Sequence, residues 1–232
     1  MDVLITGTSS GIGRAAAEKF LAEGHRVWGL DVAAASIKNA SYQHFICDVA
    51  DEGSLPAGLE PEILVNCAGV QGSPDDIAVN LRGTINVTEH YAFAGSADGE
   101  KRELGRTPAP RIRAVVMVGS ASGHTGSEFP VYAASKGGVA AYTKNVATRL
   151  APQAICNSVD PGGVSTELNR PVMDDPELWR RIMDLTPLRR WATPEEIADW
   201  IYFVGVTNRF MTGQNLLIDG GEAGRTEFIW PD

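Results

Sequence analysis

The sequence predicts an α/β fold: a doubly wound parallel sheet with helices on both faces, three layers in all. Three observations predict it. Short unbroken apolar runs, among them Val3-Leu4-Ile5, Ile63-Leu64-Val65 and Ala114-Val115-Val116-Met117-Val118, read as strands buried on both faces. Segments of helical composition separate these runs, so strands and helices alternate along the chain. A glycine-rich turn, Thr6-Gly7-Thr8-Ser9-Ser10-Gly11-Ile12-Gly13, joins the first run directly to the first helix. The chain of 232 residues, 44% of them apolar, suits one domain spanning 1–232, with no repeat, low-complexity tract or linker to divide it.

Taken in order, the first strand is Val3-Leu4-Ile5, and residues 14–23 form a helix ended by Gly24. The turn between them is a phosphate site. Its glycines permit a tight turn and close backbone approach, and the helix N-terminus presents free N–H groups to an anion, which selects Gly7, Ser9, Ser10, Gly11, Ile12 and Gly13. The second strand, 26–31, closes on Asp31. An acid roughly 20 residues beyond such a turn can bind the adenosine ribose hydroxyls and repel a 2′-phosphate. No Lys or Arg lies within 8–10 or just after Asp31, so the cofactor expected is NAD in preference to NADP.

At most a short helix fits between Val32 and Ala40. His44-Phe45-Ile46-Cys47 is the third strand, ending at Asp48-Val49, where a carboxylate and an N–H can meet an adenine edge. Pro56 and Gly58 keep 52–60 from holding a long helix. Ile63-Leu64-Val65 is the fourth strand. Asn66-Cys67-Ala68-Gly69 follows, with Ala68 and Gly69 small enough for a cofactor to lie close, and Asn66 either bracing the sheet or touching a ligand. Residues 77–93 read as a long amphipathic helix, with Ile77, Leu81, Ile85 and Thr88 at helical spacing. It carries Asn80 and Asn86, which spacing alone does not rank. The polar stretch 95–113 is expected to be a solvated loop.

Past the fifth strand, 114–118, Ser120 sets a hydroxyl at the carboxyl end of the sheet, the edge where ligands bind in open α/β sheets. Tyr132-Ala-Ala-Ser-Lys136 then heads a helix running to Leu150. Residues four apart share a helical face. A fixed cation beside a phenol favours the phenolate, and a tyrosine so tuned serves as general acid or base. The sixth strand, 154–159, ends in Asp160-Pro161-Gly162-Gly163-Val164-Ser165-Thr166, which turns the chain beside the site. The stretch from about 165 to 192 mixes Met173, Trp179, Met183 and Trp191 with charges and prolines. It suits an irregular flap over a substrate with an apolar face, while Arg170, Arg180, Arg181, Arg189 and Arg190 suit a carboxylate, a phosphate or plain solvent. Thr193-Pro194-Glu195-Glu196 is an N-cap, N1 proline and acidic first turn for a helix to about Val204. A last strand lies within 215–221, and the tail 222–232, with Phe228, Ile229 and Trp230, is expected to dock on the body or on a neighbouring subunit.

The net charge of -9 argues against nucleic acid or an anionic membrane surface as partner. No run is long enough to span a bilayer and no leader is recognisable, so the expectation is a soluble cytoplasmic protein. Cys47, Cys67 and Cys156 show no metal spacing, so no metal is expected and the thiols read as packed and reduced.

In combination, Thr6-Gly7-xxx-Gly11-Ile12-Gly13, Asp48-Val49, Asn66-xx-Gly69, Asn80, Ser120, Tyr132-xxx-Lys136, Pro161-Gly162 and the Gly220-Gly221 end resemble, in order and near the right spacing, the short-chain dehydrogenase/reductase family in its compact Rossmann-fold type. The likeness covers nearly the whole chain. It implies an oxidoreductase interconverting a secondary alcohol and a ketone, with Tyr132 as catalytic acid/base and Ser120 bonding the substrate oxygen. It further implies that Lys136 binds the nicotinamide ribose and favours the Tyr132 phenolate, that Asn80 helps hold a relay water, and that Val164 and Thr166 bracket the carboxamide. A homotetramer is implied too, or a dimer, with 77–93 and 137–150 pairing across one two-fold axis and strand 216–218 near a second.

The chain departs from the family pattern at Cys67, which takes the place of a second Asn, in the short interval from Gly69 to Asn80, and in the trimmed segments after Asp31 and Asp51. That compact outline is similar to the hydroxysteroid dehydrogenase/carbonyl reductase branch, yet hydroxysteroids or carbonyls, 3-hydroxyacyl compounds and sugars or polyols all stay open as substrates. Two other functions fit these residues less well. A catalytically silent NAD(H)-binding redox sensor or scaffold usually lacks the Tyr or the Lys, and an epimerase or dehydratase resembles longer members with an added substrate domain.

Overall fold

The computed structural model of the chain describes residues 1–94, 107–126 and 129–224. Its centre is a seven-stranded sheet, every pairing parallel, in the order β3-β2-β1-β4-β7-β8-β9. The strands are β1 (Asp2–Thr6), β2 (Arg26–Asp31), β3 (Tyr42–Ile46), β4 (Ile63–Asn66), β7 (Ala114–Val118), β8 (Ile155–Pro161) and β9 (Asn215–Ile218), and a small antiparallel pair, β5 (Phe93–Ala94) with β6 (Thr107–Pro108), lies apart. The helices are α1 (Gly11–Ala22), α2 (Thr84–Tyr91), α3 (Ser122–Thr125), α4 (Pro130–Leu150), α5 (Arg170–Met173), α6 (Pro176–Leu185) and α7 (Pro194–Tyr202).

Alternation along the strands sorts the core into two layers. Leu4, Leu64, Val115 and Met117 pack with Val87 of α2 and with Val139, Val146 and Leu150 of α4. Val3, Ile5, Ile63, Val65 and Val116 pack on the other face with Phe20 of α1 and with Ile197 and Ile201 of α7. Continuous apolar runs give buried central strands because both faces are covered, and β1, β4 and β7 are buried at every position.

Four expectations are corrected. The third strand begins two residues early, at Tyr42, and stops before Cys47, because its register against β2 pairs Val27 with Tyr42 and Asp31 with Ile46. It is an edge strand, and Ile46 is 73% exposed. The helix read over 77–93 has two parts: Ile77–Gly83 winds in wider turns, α2 follows, and Phe93 leaves into β5. Of the stretch read as a solvated loop, 95–106 lie outside the described residues, while its end forms β6 and buries Ile112. The flap is not irregular but carries two short helices, α6 being capped by the Asp175 carboxylate, which accepts from the N–H groups of Glu177 and Leu178.

Other elements fall where the pattern put them. No helix forms over 32–40, and a single tight turn, Glu52–Ser54, occupies the segment broken by Pro56 and Gly58. The Thr193 hydroxyl accepts from Glu196 N–H while the Glu196 carboxylate accepts from Thr193 N–H, a reciprocal capping box at the start of α7. Among the described residues, no helix is long and apolar enough to cross a membrane, and no group of three or more His, Cys, Asp or Glu could hold a metal ion. The tail segment 225–232 lies outside the described residues.

Candidate active site

A cleft of about 730 Å³ runs along the carboxyl ends of β1, β2, β4, β7 and β8. At one end the glycine turn is held by backbone constraints. Gly7 sits at φ 77, donates its N–H to Leu30 O at 2.7 Å, and a Cβ there would stand 2.9 Å from Ala68 Cα. A Cβ on Gly13 would collide with the Gly7 carbonyl oxygen, so helix and strand can meet this closely only through glycine. Ser10, Gly11, Ile12 and Gly13 line the cleft, and no side chain caps the N-terminus of α1. Its free N–H groups and the bare backbone fit the pyrophosphate of a dinucleotide. The Thr6 hydroxyl accepts from both Cys67 N–H and Ala68 N–H at 2.9 Å, tying the ends of β1 and β4 together.

Asp31 lines the cleft at the end of β2, its two oxygens accepting from Ser9 N–H and Ala33 N–H at 2.9 Å. Ser9 itself lies outside the lining and serves Asp31 instead. Asp48 and Val49 line the same side. Asn86 holds that segment by donating to Val49 O and Ala50 O, a task its spacing did not disclose.

Asn66 braces the sheet. It is 3% exposed, lies outside the lining, and donates to Thr88 Oγ1 at 2.9 Å, whereas Ala68 and Gly69 line the cleft. Asn80 is fully buried behind Gly69. Its Oδ1 accepts from Val70 N–H at 2.8 Å, and its Nδ2 donates to Val70 O and to Ser135 Oγ. Asn80 therefore clamps the segment after β4 to α4 beside Lys136. A Cβ on Gly69 would meet Asn80 Oδ1 at 3.0 Å and Lys136 Nζ at 3.6 Å, so this glycine leaves the space where both side chains converge.

Ser120, Tyr132 and Lys136 all line the cleft. Pro130 starts α4, which places Tyr132 and Lys136 one turn apart on one face. The Lys136 side chain is buried, its ammonium donating to Val118 O at 2.9 Å and lying 5.8 Å from the centre of the Tyr132 ring. Ser120 Oγ accepts from Ser122 N–H at 3.2 Å. Behind this loop lies Asp160, 1% exposed, which accepts from the Ser158 hydroxyl and pairs with His124 Nε2. A Cβ on Gly119 would collide with that carboxylate. Neither His124 nor Asp160 stood out in the sequence, because their partners are on different elements.

Pro161, Gly162, Val164 and Thr166 also line the cleft, and Leu168, Val172, Ile182 and Trp191 of the flap add an apolar wall. Trp191 packs edge-on against Trp179, ring centres 4.9 Å apart. Arg170, Arg180, Arg189 and Arg190 pair with Glu167, with Glu177 and Asp184, with Asp184, and with Glu196 respectively. None of these four arginines, nor Arg181, lines the cleft, although Glu167 and Glu222 do.

A protein-family model described as Enoyl-(Acyl carrier protein) reductase matches residues 7–222. The chain belongs to the short-chain dehydrogenase/reductase family. Among its relatives, 2-(R)-hydroxypropyl-CoM dehydrogenase of Xanthobacter autotrophicus is 30% identical, covering 94% of this chain and 96% of the relative. Galactitol 2-dehydrogenase (L-tagatose-forming) of Cereibacter sphaeroides is 32% identical, covering 94% and 92%. The structure of 4-hydroxyisoleucine dehydrogenase complexed with NADH superposes with a TM-score of 0.84 at 26% identity, covering 97% of this chain and 99% of that one. As a member of this family of dehydrogenases, the protein is an oxidoreductase.

Proposed function

We propose that this short-chain dehydrogenase/reductase is an NAD-dependent dehydrogenase interconverting a secondary alcohol and a ketone. The observation that carries the reading is the Tyr132–Lys136 pair opening on the same cleft as the glycine turn and Asp31. The N-terminus of α1 with Gly7, Ser10, Gly11, Ile12 and Gly13 would hold the pyrophosphate, Asp31 the ribose hydroxyls, and Asp48 and Val49 the adenine. Ala68, Gly69, Pro161, Gly162, Val164 and Thr166 would hold the nicotinamide end. When bound there, the dinucleotide supplies the hydride acceptor or donor. Ser120 Oγ donates to the substrate oxygen and orients it. In oxidation the Tyr132 phenolate would take the carbinol proton and become the phenol, and in reduction the phenol would return it. The Lys136 ammonium, fixed by Val118 O, would hold the nicotinamide ribose, and Asn80 keeps Gly69 and α4 in register around it.

The lining also bears on the substrate. Its apolar wall and two carboxylates beside it, Glu167 of the flap and Glu222 beyond β9, suit an uncharged alcohol better than an anionic one. Among the described residues, Lys136 is the cation that lines the cleft. The polyol named for the galactitol relative is of that uncharged kind.

The test is NADH formation across secondary alcohols in matched neutral and carboxylate pairs, each with NAD and NADP, for the wild type and Tyr132→Phe. Turnover of neutral members with NAD is expected. Tyr132→Phe should lower kcat by roughly 10²–10⁴-fold and leave NADH binding nearly intact. Near wild-type turnover in that variant overturns the mechanism, and silence of the wild type with NADH still bound would favour the sensor role instead.

A further inference from the structure

Asp31 is held by more than its own strand. Each of its oxygens accepts one backbone N–H, from Ser9 on one side and Ala33 on the other. Those two groups belong to separate segments: the glycine turn, and an exposed loop over 32–36 that contains no helix or strand. The side chain keeps one orientation only if these segments keep their spacing.

A relay of side chains from β3 ties them together. His44 Nε2 donates to Ala33 O at 2.9 Å, since a carbonyl can only accept. In the neutral ring this leaves Nδ1 as an acceptor for the Tyr42 hydroxyl, 2.9 Å away. The Tyr42 oxygen in turn accepts from the Thr8 hydroxyl at 2.8 Å, and Thr8, fully buried, is the neighbour of Ser9. Burial holds the Tyr42 phenol above its ordinary pKa and keeps it a donor. From Thr8 to Ala33 the donors all run one way, and the ring closes at Asp31, which accepts from Ala33 N–H on one side and from Ser9 N–H on the other. Gly29, inside β2, leaves the space for this contact, because a Cβ there would collide with both the Tyr42 and Thr8 oxygens.

We propose that Tyr42 and His44 are positioning residues for Asp31 and so set how strongly the cleft prefers a plain adenosine ribose over a 2′-phosphorylated one. The inference rests on the dinucleotide reading above. With the relay intact, Asp31 presents its remaining lone pairs to ribose hydroxyls and its charge to a 2′-phosphate. With the relay cut, the 32–36 loop slackens and Asp31 can swing away. Ribose then loses its acceptor while the phosphate loses its repulsion, so the two affinities move in opposite directions. Loss of packing alone would weaken both together.

The experiment titrates NADH and NADPH by nicotinamide fluorescence against the wild type, Tyr42→Phe, His44→Gln, Asp31→Ala and the Asp31→Ala/Tyr42→Phe double variant. The ratio of the two Kd values within one variant does not depend on how much of it is folded. Tyr42→Phe is expected to narrow the preference for NADH by roughly tenfold, the scale of one lost hydrogen bond to a charged group. The KM for NAD should rise while kcat at saturating NAD stays put. His44→Gln, which keeps a donor for Ala33 O, should narrow the ratio less. On the Asp31→Ala background, Tyr42→Phe should change the ratio no further. An unchanged ratio in Tyr42→Phe, or equal weakening of both dinucleotides, overturns the inference. A wild type that binds NADPH as well as NADH removes the Asp31 assignment and this inference with it, whereas a wild type binding neither overturns the proposed function itself.

Discussion

Gly13 has no room for a side chain, because the position of its Cβ is taken by the Gly7 carbonyl. Gly13→Ala should therefore cost about 3 kcal/mol, as forced overpacking does, and should lose dinucleotide binding as the turn shifts. Urea unfolding and NADH fluorescence check the two effects separately. The neighbouring Cys67 thiol is half-buried and lines the cleft, and desolvation pushes it up to about 12, so it is protonated at neutral pH and should alkylate more slowly than a free thiol does. Residue by residue, the site was most legible where chemistry is written into a short spacing, as at Tyr132 and Lys136 or along the glycine turn. It was least legible for the asparagines. Asn66, Asn80 and Asn86 look alike in sequence, and what separates them is which buried groups each meets across the sheet: Thr88, Val70 with Ser135, and Val49 with Ala50.

At the scale of elements, local chemistry again decided what could be foreseen. Thr193-Pro194-Glu195-Glu196 carries its own geometry, and the capping box at α7 is the result. Thr193→Ala should lower stability by about 1 kcal/mol, read as a shift in the urea midpoint with an unchanged slope. Elements whose limits depend on a partner were harder. The start of β3 is set by pairing with β2, not by its own composition, and the wide turns of Ile77–Gly83 carry Asn80 against Val70 and Gly83 against Val49, both distant in sequence from what the periodicity reads. Periodicity located that helix but could not reveal how tightly it winds. The order of strands in the sheet was likewise out of reach, since it depends on contacts between distant segments.

Across the whole molecule, charge and burial set the response to pH. His25 packs between Phe20 and Tyr202, and burial lowers its pKa below the ordinary 6.5. The unfolded chain therefore binds a proton at His25 more readily than the folded one. Its contribution to stability is full above pH 6.5 and is lost as the pH falls through the lower folded value. Asp2 acts at more acid pH: the hydrogen bond from Arg26 lowers its carboxyl below 3.8, so its stabilisation is present above 3.8 and disappears below it. Thermal melts from pH 7 to pH 5 should show the first loss, and His25→Gln should flatten it.

The two sides of the cleft differ in how far they are open to solvent ions. The flap is laced by Arg170–Glu167, Arg180–Glu177 and Arg189–Asp184, each with more than half of both side chains exposed. Asp160, behind the Ser120 loop, is 1% exposed. The Debye length shrinks from about 8 Å at physiological strength to about 3 Å at 1 M, close to the separation within these exposed pairs, and buried charges are screened far less. Ionic strength thus becomes a selective handle on this molecule. Raising it from 0.05 to about 1 M should loosen the flap and raise the KM for an uncharged substrate, while the Ser120 loop holds its shape and kcat scarcely moves.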